Sequence, residues 1–426
     1  MRIKETYKIT NINDFKVRLL NWGRKFNHFI FLDSNRESID NSNAGKYETY
    51  DCIAAAGNTR FISDTGFTKL KEFCKAHKDW IFGYLSYDMK NYSEDISSKN
   101  PDYISAADMY FFIPEFVFHI NGKVLTIESH NETVNLFNEI VKEKALAGTI
   151  VACSPMQRFS KEEYCSIVCK ILDHIKKGNI YEMNLCMEFF AEAINADPVT
   201  LFENLCRISP APFSCYMHID DVHLICASPE RFLKKTGNRI ISQPIKGTIK
   251  RGANVSDDRM LINQLYTDPK ERSENIIITD LVRNDLSRTA RKGSVKVEEL
   301  CGIYSFAQVH QMISTIVSEL SPQHHYIECI EAAFPMGSMT GTPKLRSMEL
   351  IEHFERTRRG IYSGSVGYIS PEEDFDFNVV IRSILYNTKN MYLSFQAGGA
   401  ITGKSDPLRE YEECLLKARA MIEAIS

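Results

Sequence analysis

No stretch of about 18 apolar residues occurs in the chain, and the segment from Met1 to Phe15 has no apolar signal core. A membrane partner is therefore not expected, and a cytoplasmic location is. The twelve cysteines include no C-x-x-C pair, which excludes a zinc ribbon or a thioredoxin-like site. Most, like Cys226 within Leu224–Ala227, sit among apolar neighbours, where a free thiol behaves as a small hydrophobe. A basic excess is also missing: 51 Lys and Arg against 55 Asp and Glu leave a net charge of −4. A general nucleic-acid binder carries a basic footprint, so a small molecule or a protein is the expected partner. No repeat or low-complexity tract is present. An apolar share of 44% with 25% charged residues excludes a disordered, collagen-like or coiled-coil chain.

What is present is enough chain, 426 residues, for two or three cores. Residues 33–66 are polar and loop-like, with turn signals at Asn43-Ala44-Gly45 and Gly57-Asn58. Phe29–Leu32 and Trp80–Leu85 are short apolar runs that read as buried strands. Val134–Ala147 has a helical pattern, broken by Gly148–Pro155. Ser160-Lys161-Glu162-Glu163 then forms a capping box that opens an amphipathic helix to about Lys177. A boundary is placed here, with an N-terminal domain over 1–154 and a second over 155–426. Downstream, Met187–Ala193, Ser214–Ile219, His223–Ala227 and Arg239–Gln243 read as strands. Asp257–Asp285, Met348–Arg356 and Pro407–Ala424 read as helices. Strand runs punctuated by helices predict an α+β layered fold.

Two helix starts resemble each other. One reads Asp268-Pro269-Lys270-Glu271-Arg272-Ser273-Glu274, the other Asp406-Pro407-Leu408-Arg409-Glu410-Tyr411-Glu412-Glu413. In each, Asp can cap the helix and Pro suits its first position. Each also sets two carboxylates three residues apart on one face: Glu271 with Glu274, and Glu410 with Glu413. Acidic residues in a first turn suit the helix dipole without any further role. Should the two helices converge, four carboxylates would repel unless protonated or neutralised, and Mg²⁺ with its waters fits that donor set.

Other runs admit two readings. Asp280–Arg288 is highly charged and suits a salt-bridged helix end. Phe334–Lys344 is a small-residue loop before a helix and could cradle an anion, although no Walker pattern follows. His310, in the mainly apolar run Phe306–Val317, reads by default as a core histidine. Lys246 falls at a strand edge, where most lysines are solvated.

Taken in order, these motifs form a series: Ser228-Pro229-Glu230-Arg231-Phe232, Pro244-Ile245-Lys246-Gly247-Thr248, Lys270 through Asp285, His310, Phe334–Lys344, Arg359–Gly364, Ile381-Arg382-Ser383 and Ala397–Lys417. The series resembles the chorismate-utilising enzymes, which include anthranilate-, aminodeoxychorismate-, isochorismate- and salicylate-forming members. The resemblance covers roughly residues 155–425. It implies a layered β-sheet sandwich with outer helices. The first 154 residues resemble the family's accessory domain only loosely, through Phe31-Leu32-Asp33-Ser34 and Gly83-Tyr84. Asp33 departs from the usual pattern at a segment associated with feedback binding of tryptophan.

The resemblance also implies roles. Glu274 and Glu413 match direct Mg²⁺ ligands, and Glu271 and Glu410 match ligands acting through water. Tyr362, Arg382, Lys417, Thr248 and the backbone at Gly398 and Gly399 match substrate-holding positions; the planar guanidinium of Arg382 suits a carboxylate. Lys417 lies one turn beyond Glu413, so it could equally form an intrahelical salt bridge. Glu230 matches the general acid for the departing C4 hydroxyl, which requires a raised pKa. His310 joins the catalytic set. In water-adding members a lysine activates the water within a segment like Gly178–Leu185; Glu182 stands at that position here, so water addition is not expected.

Lys246 stands where anthranilate-forming members carry alanine and aminodeoxychorismate-forming members carry lysine. In the latter the amine is proposed to attack C2 as the C4 hydroxyl leaves, after which ammonia displaces it at C4. The expected reaction is therefore chorismate plus ammonia to 4-amino-4-deoxychorismate, with the ammonia supplied by a separate glutamine amidotransferase subunit. Anthranilate formation and a non-catalytic chorismate-binding subunit are the alternatives. A nucleophilic lysine must be neutral, so its pKa of about 10.4 has to fall by roughly 3 units, or about 4 kcal/mol. Lys250, Arg251 or partial burial are expected to push it down.

Overall fold

The structure, a computed structural model, describes residues 2–36, 47–94, 96–131, 135–144, 148 and 153–426. Among these residues two antiparallel sheets, of 12 and 10 strands, are layered face to face. The larger sheet runs from the edge strand Ile3–Lys8 through His28–Asp33, Phe213–Ile219 and Tyr392–Thr402 to Glu182–Ala191. The smaller runs from Ile245–Lys250 through Val309–Glu319, Arg231–Thr236 and Ser365–Ile369 to Arg60–Ser63. This is the α+β sandwich with outer helices that the sequence predicts.

Side-chain alternation along single strands builds the layers. In Glu182–Ala191, Met183, Leu185, Met187 and Phe189 join a core beneath the outer helices, while Cys186 and Phe190 join the core between the sheets. Phe29 and Phe31 divide from Ile30 in the same way. Successive strand residues point to opposite faces, so one strand serves two cores.

Both sheets cross residue 154. His28–Asp33 pairs with Phe213–Ile219 over six residue pairs, and Ile81–Leu85 pairs with Ser365–Ile369 over five. The segments on either side of that boundary share sheets and cores.

Local expectations meet the structure unevenly. Ser160 accepts from Glu163 N at 3.2 Å and Glu163 Oε2 accepts from Ser160 N at 2.8 Å, which completes the capping box of helix Lys161–Lys176. Arg239–Gln243 and Pro407–Ala424 form as predicted. The segment 33–66 is not wholly loop: Cys52–Ala56 is a buried strand between two partners, and Arg60–Ser63 is an edge strand. Its run of small alanines carries little strand signal, and the neighbouring strands supply the burial. The turn at Asn43-Ala44-Gly45 lies outside the described residues. The helix expected over Val134–Ala147 forms at Leu136–Lys142, and that over Met348–Arg356 at Lys344–Phe354. The single helix expected over Asp257–Asp285 is two, Val255–Thr267 and Pro269–Ser287, because Asp268 is extended and caps the second. All twelve cysteines are free.

A buried ion pair ties strand Glu182–Ala191 to the loops beside it. The Arg359 guanidinium donates to Glu355 at 2.7 and 2.9 Å, to the carbonyl of Met339 at 2.6 Å and to that of Asn184 at 3.1 Å. Glu355 in turn accepts from Cys186 N at 2.9 Å. Removing one partner of such a pair leaves an uncompensated buried charge. Arg359→Ala is therefore expected to cost about 3–5 kcal/mol in urea unfolding, and Arg359→Met with Glu355→Leu to recover most of it. A single variant as stable as the parent would refute that coupling.

Candidate functional site

The two resembling helix starts do converge. Asp268 Oδ1 accepts from the backbone N–H of Lys270 at 2.8 Å and of Glu271 at 3.0 Å, and Asp406 Oδ1 accepts from Arg409 N at 3.0 Å. Each aspartate caps a helix with proline in its first turn, as the sequence predicts. The helices Pro269–Ser287 and Pro407–Ala424 then bring Glu413 within electrostatic reach of Glu271, Glu274 and Glu410.

Their protonation follows from burial and crowding. Burial, and then repulsion from Glu274, pushes the Glu271 carboxyl up to about 7. Burial raises Glu274 as well, with Lys246 and Lys270 opposing, and it raises Glu410. Glu413 alone is held below the ordinary carboxylate range: burial works against it, but Lys417 at 2.7 Å overcomes that. Glu274 Oε1 is buried and accepts no hydrogen bond; Lys270 Nζ stands 3.8 Å away.

Glycines open the space beside these groups. A Cβ on Gly399 would lie 3.3 Å from both Glu410 Oε2 and Glu413 Oε1. A Cβ on Gly398 would meet the carbonyl oxygen of Leu185 at 1.9 Å, so the close pairing of these strands requires glycine there.

Lys246 enters the same space from strand Ile245–Lys250. Its backbone carbonyl accepts from Asn275 Nδ2 at 3.3 Å; Asn275, fully buried on the Pro269 helix, also donates to the Met312 carbonyl at 3.1 Å. The expectation of a lowered Lys246 pKa is overturned. Burial does pull it down, but Glu182, Glu274, Glu230 and Glu413, in that order, together pull harder and leave it above its ordinary value. Arg251, expected to repel it, is spent on Asp258 at 2.8 Å and on the carbonyl of Phe306 at 2.7 Å.

Glu230 fits its expected character. Burial lifts its carboxyl to about 7 against opposing pulls from the Ser338 hydroxyl and Lys246. It is therefore partly protonated near neutrality, with a cation acting on it. Arg382 sits at φ 52° in the left-handed region, a conformation that costs a non-glycine residue of order 1–3 kcal/mol and is typical of functional positions. Among the described residues its guanidinium makes no hydrogen bond or ion pair, and burial lowers its pKa. The Tyr362 hydroxyl is buried 3.5 Å from Cys186 Sγ. Lys417 bonds both Glu413 and, at 2.9 Å, the Gly398 carbonyl, so the intrahelical salt bridge and the site location are both realised.

Two further expected residues have other surroundings. His310 is fully buried with both ring nitrogens engaged, Nε2 with Asp258 at 2.9 Å and Nδ1 with the Ser305 hydroxyl at 2.8 Å. It faces helix Val255–Thr267 and is not among the groups acting on Lys246. Thr248 is exposed on its strand opposite Gln311. Asn275 and Ser338 went unread; an asparagine beside a glutamate and a serine in a small-residue loop give no sequence signal of their own. A separate cavity, lined in part by Asp33, Ser34, Tyr50, Arg231 and Tyr368, lies between the sheets. There Asp33 is paired with Lys16 at 2.8 Å.

An acid that titrates near neutrality, a guanidinium with no partner among the described residues, a half-buried ammonium and crowded carboxylates around one space describe a site for a small anionic molecule. Residues 27–423 match the family described as chorismate binding enzyme. The chain belongs to that family. Its relatives include the anthranilate synthase component 1 of Aquifex aeolicus, 33% identical over 81% of this chain and 74% of the relative. The aminodeoxychorismate synthase component 1 of Bacillus subtilis is 31% identical over 80% of this chain and 76% of its own length. A probable aminodeoxychorismate synthase of rice is 36% identical over 80% of this chain, which spans 43% of it. The fold is shared with anthranilate synthase component I of Streptococcus pneumoniae (TM-score 0.78, 24% identity, 87% of this chain and 91% of that one). It is shared too with the menaquinone-specific isochorismate synthase of Escherichia coli (TM-score 0.79, 17% identity, 100% and 94%).

The raised carboxyls set a sign for stability. A carboxyl held above its unfolded value stabilises fully below that value, about pH 4.5, and the contribution fades as pH rises through its folded value, here about 7 for Glu230 and Glu271. The metal-free chain is expected to lose melting temperature between about pH 5 and pH 8, and Glu230→Gln with Glu271→Gln to flatten that slope. Equal slopes in thermal unfolding would show that neither carboxyl is raised.

Proposed function

We propose that this chorismate-binding enzyme aminates chorismate, forming 4-amino-4-deoxychorismate as an aminodeoxychorismate synthase component I, with ammonia delivered by a glutamine amidotransferase subunit. The observation that carries the reading is Lys246, a primary amine held inside the site beside Glu230, whose carboxyl burial lifts to about 7. Anthranilate formation needs no amine at this position. The Bacillus subtilis relative supports the component I reading, since its name denotes one part of a two-part enzyme.

Arg382, with its free guanidinium, and Tyr362 would hold a carboxylate of the substrate, because a forked donor matches two carboxylate oxygens. The Lys246 ammonium would first give a proton to a base of the site and its freed Nζ would bond to C2 while the ring double bonds shift and the C4–O bond breaks; the proton would return to the amine when it departs. Glu230 would give its proton to that oxygen, which leaves as water. Ammonia would then bond to C4, the double bonds would return, and the lysine nitrogen would depart. The ammonium formed at C4 would return a proton to Glu230.

Mg²⁺ fits the carboxylate group. Glu274 has a buried oxygen with no hydrogen-bond partner, and Gly399 leaves room beside Glu410 and Glu413. Among the described residues no three His, Cys, Asp or Glu side chains form a ready-made cage. Mg²⁺ is ordinarily held by one or two carboxylates, waters and a substrate anion. Glu274 and Glu413 would hold it directly, with Glu271 and Glu410 behind water. Bound there, the cation would neutralise the ring carboxylate of chorismate.

Two measurements test this. Purified chain with chorismate, Mg²⁺ and ammonium should release 4-amino-4-deoxychorismate on chromatography, and Lys246→Ala should abolish it. Anthranilate from the parent chain would transfer the reading to the other component I activity. Separately, Mg²⁺ should raise the melting temperature of the parent chain, and Glu274→Gln with Glu413→Gln should remove that rise. An unchanged rise would place the ion elsewhere.

A further inference from the structure

Four carboxylates act on Lys246, and three have work under the amination reading: Glu230 as proton donor, Glu274 and Glu413 toward the cation. The fourth, Glu182, has none. It opens strand Glu182–Ala191, and its side chain lies on the face shared with Asn184 and Cys186, which looks toward the space between the sheets. Asn184 on that face donates to the Ser338 carbonyl at 3.2 Å, and Cys186 meets the Tyr362 hydroxyl. Glu182 therefore belongs to the wall of the site.

The residue is 2% exposed, yet its Oε2 has no hydrogen-bond partner among the described residues. The loop beside it carries another buried hydroxyl without a hydrogen-bond partner among the described residues, that of Thr342, which pairs with Glu182 in the sheet. A buried carboxylate oxygen left unpaired is costly, and such exceptions occur where a group has a reacting partner to meet. Of the carboxylates that act on Lys246, Glu182 acts most strongly. The strand is held in place from behind: Ser347 Oγ donates to the Glu182 carbonyl at 3.3 Å, and Arg359 grips the Asn184 carbonyl.

We infer that Glu182 is a catalytic base of this site, taking a proton from the Lys246 ammonium as its nitrogen attacks and returning it when the lysine departs. The inference rests on the amination reading and adds to it. The protons balance. Glu182 accepts one from Lys246, the freed amine forms the N–C2 bond, and Glu230 gives its own proton to the leaving hydroxyl, which becomes water. When ammonia bonds to C4, the C2–N bond breaks and yields a neutral amine, which recovers its proton from Glu182. The new C4 ammonium restores the proton on Glu230. Glu182 and Glu230 thus serve opposite ends of one displacement, one taking a proton and the other giving one.

The test is steady-state amination by the full chain with chorismate, Mg²⁺ and ammonium. Glu182→Gln keeps the shape and is expected to lower kcat about 100-fold or more with KM for chorismate within about twofold, the range typical of a lost general base. Glu182→Ala is expected to be as slow and to recover at least about tenfold in added formate, a carboxylate small enough for the vacated space. Formate restores a missing base but not a missing packing contact. A Glu182→Gln chain within about threefold of the parent kcat, an effect confined to KM, or a Glu182→Ala chain indifferent to formate would each overturn the role of Glu182 while leaving amination intact. A parent chain that releases anthranilate or isochorismate instead would overturn the amination reading, and this inference with it.

Discussion

The structure depends most on how one partly buried ammonium and the carboxylates acting on it neutralise one another. Lys246 is surrounded by Glu182, Glu230, Glu274 and Glu413, and a lysine in an apolar core would instead lose its proton. Conversely, the glutamates of two helix starts could not share a space without a cation near them. The remaining imbalance appears as protonation: Glu230 and Glu271 sit at about 7, and Glu413 is kept ionised by Lys417. An anionic substrate with an accompanying cation would change every one of these groups together, so electrostatics ties binding to chemistry here.

Holding these charges together requires parts from distant places in the chain. Lys246 comes from the smaller sheet, Glu182 from the far side of the larger one, Glu230 from the turn before strand Arg231–Thr236, and Glu274 and Glu413 from helices that start 138 residues apart, at Pro269 and Pro407. Buried polar contacts set their positions. Asn275 fastens the backbone of Lys246 to the Pro269 helix, and Arg359 fastens the Glu182 strand to Glu355. Sharing of both sheets by residues before and after 154 adds rigidity, since the accessory strands continue the same hydrogen-bonded layers.

Local chemistry was legible where short range decides. The capping box at Ser160, the caps at Asp268 and Asp406, and the strand Arg239–Gln243 need only neighbouring residues, and all are found. Cys52–Ala56 was missed because its burial comes from strands far away in sequence, not from its own pattern. Ordered motifs pointed to the family and to Glu230, whose raised carboxyl follows from burial. The pKa of Lys246 was read with the wrong sign, because its sequence neighbour Arg251 turns to Asp258 while its spatial neighbours are acids. His310 was placed in the catalytic set by resemblance, and its ring is bound to Asp258 and Ser305.

The sequence alone thus determined the caps, the paired carboxylates on each helix, the presence of a lysine between Pro244-Ile245 and Gly247-Thr248, and the family. These depend on residue type and on spacing within a helical turn or a motif. Only the tertiary structure decided which charges meet: that Glu182 joins Lys246, that Arg251 does not, and that Arg382 is left free. Coulomb interaction depends on distance through space and on exclusion of water, and neither is set by separation along the chain.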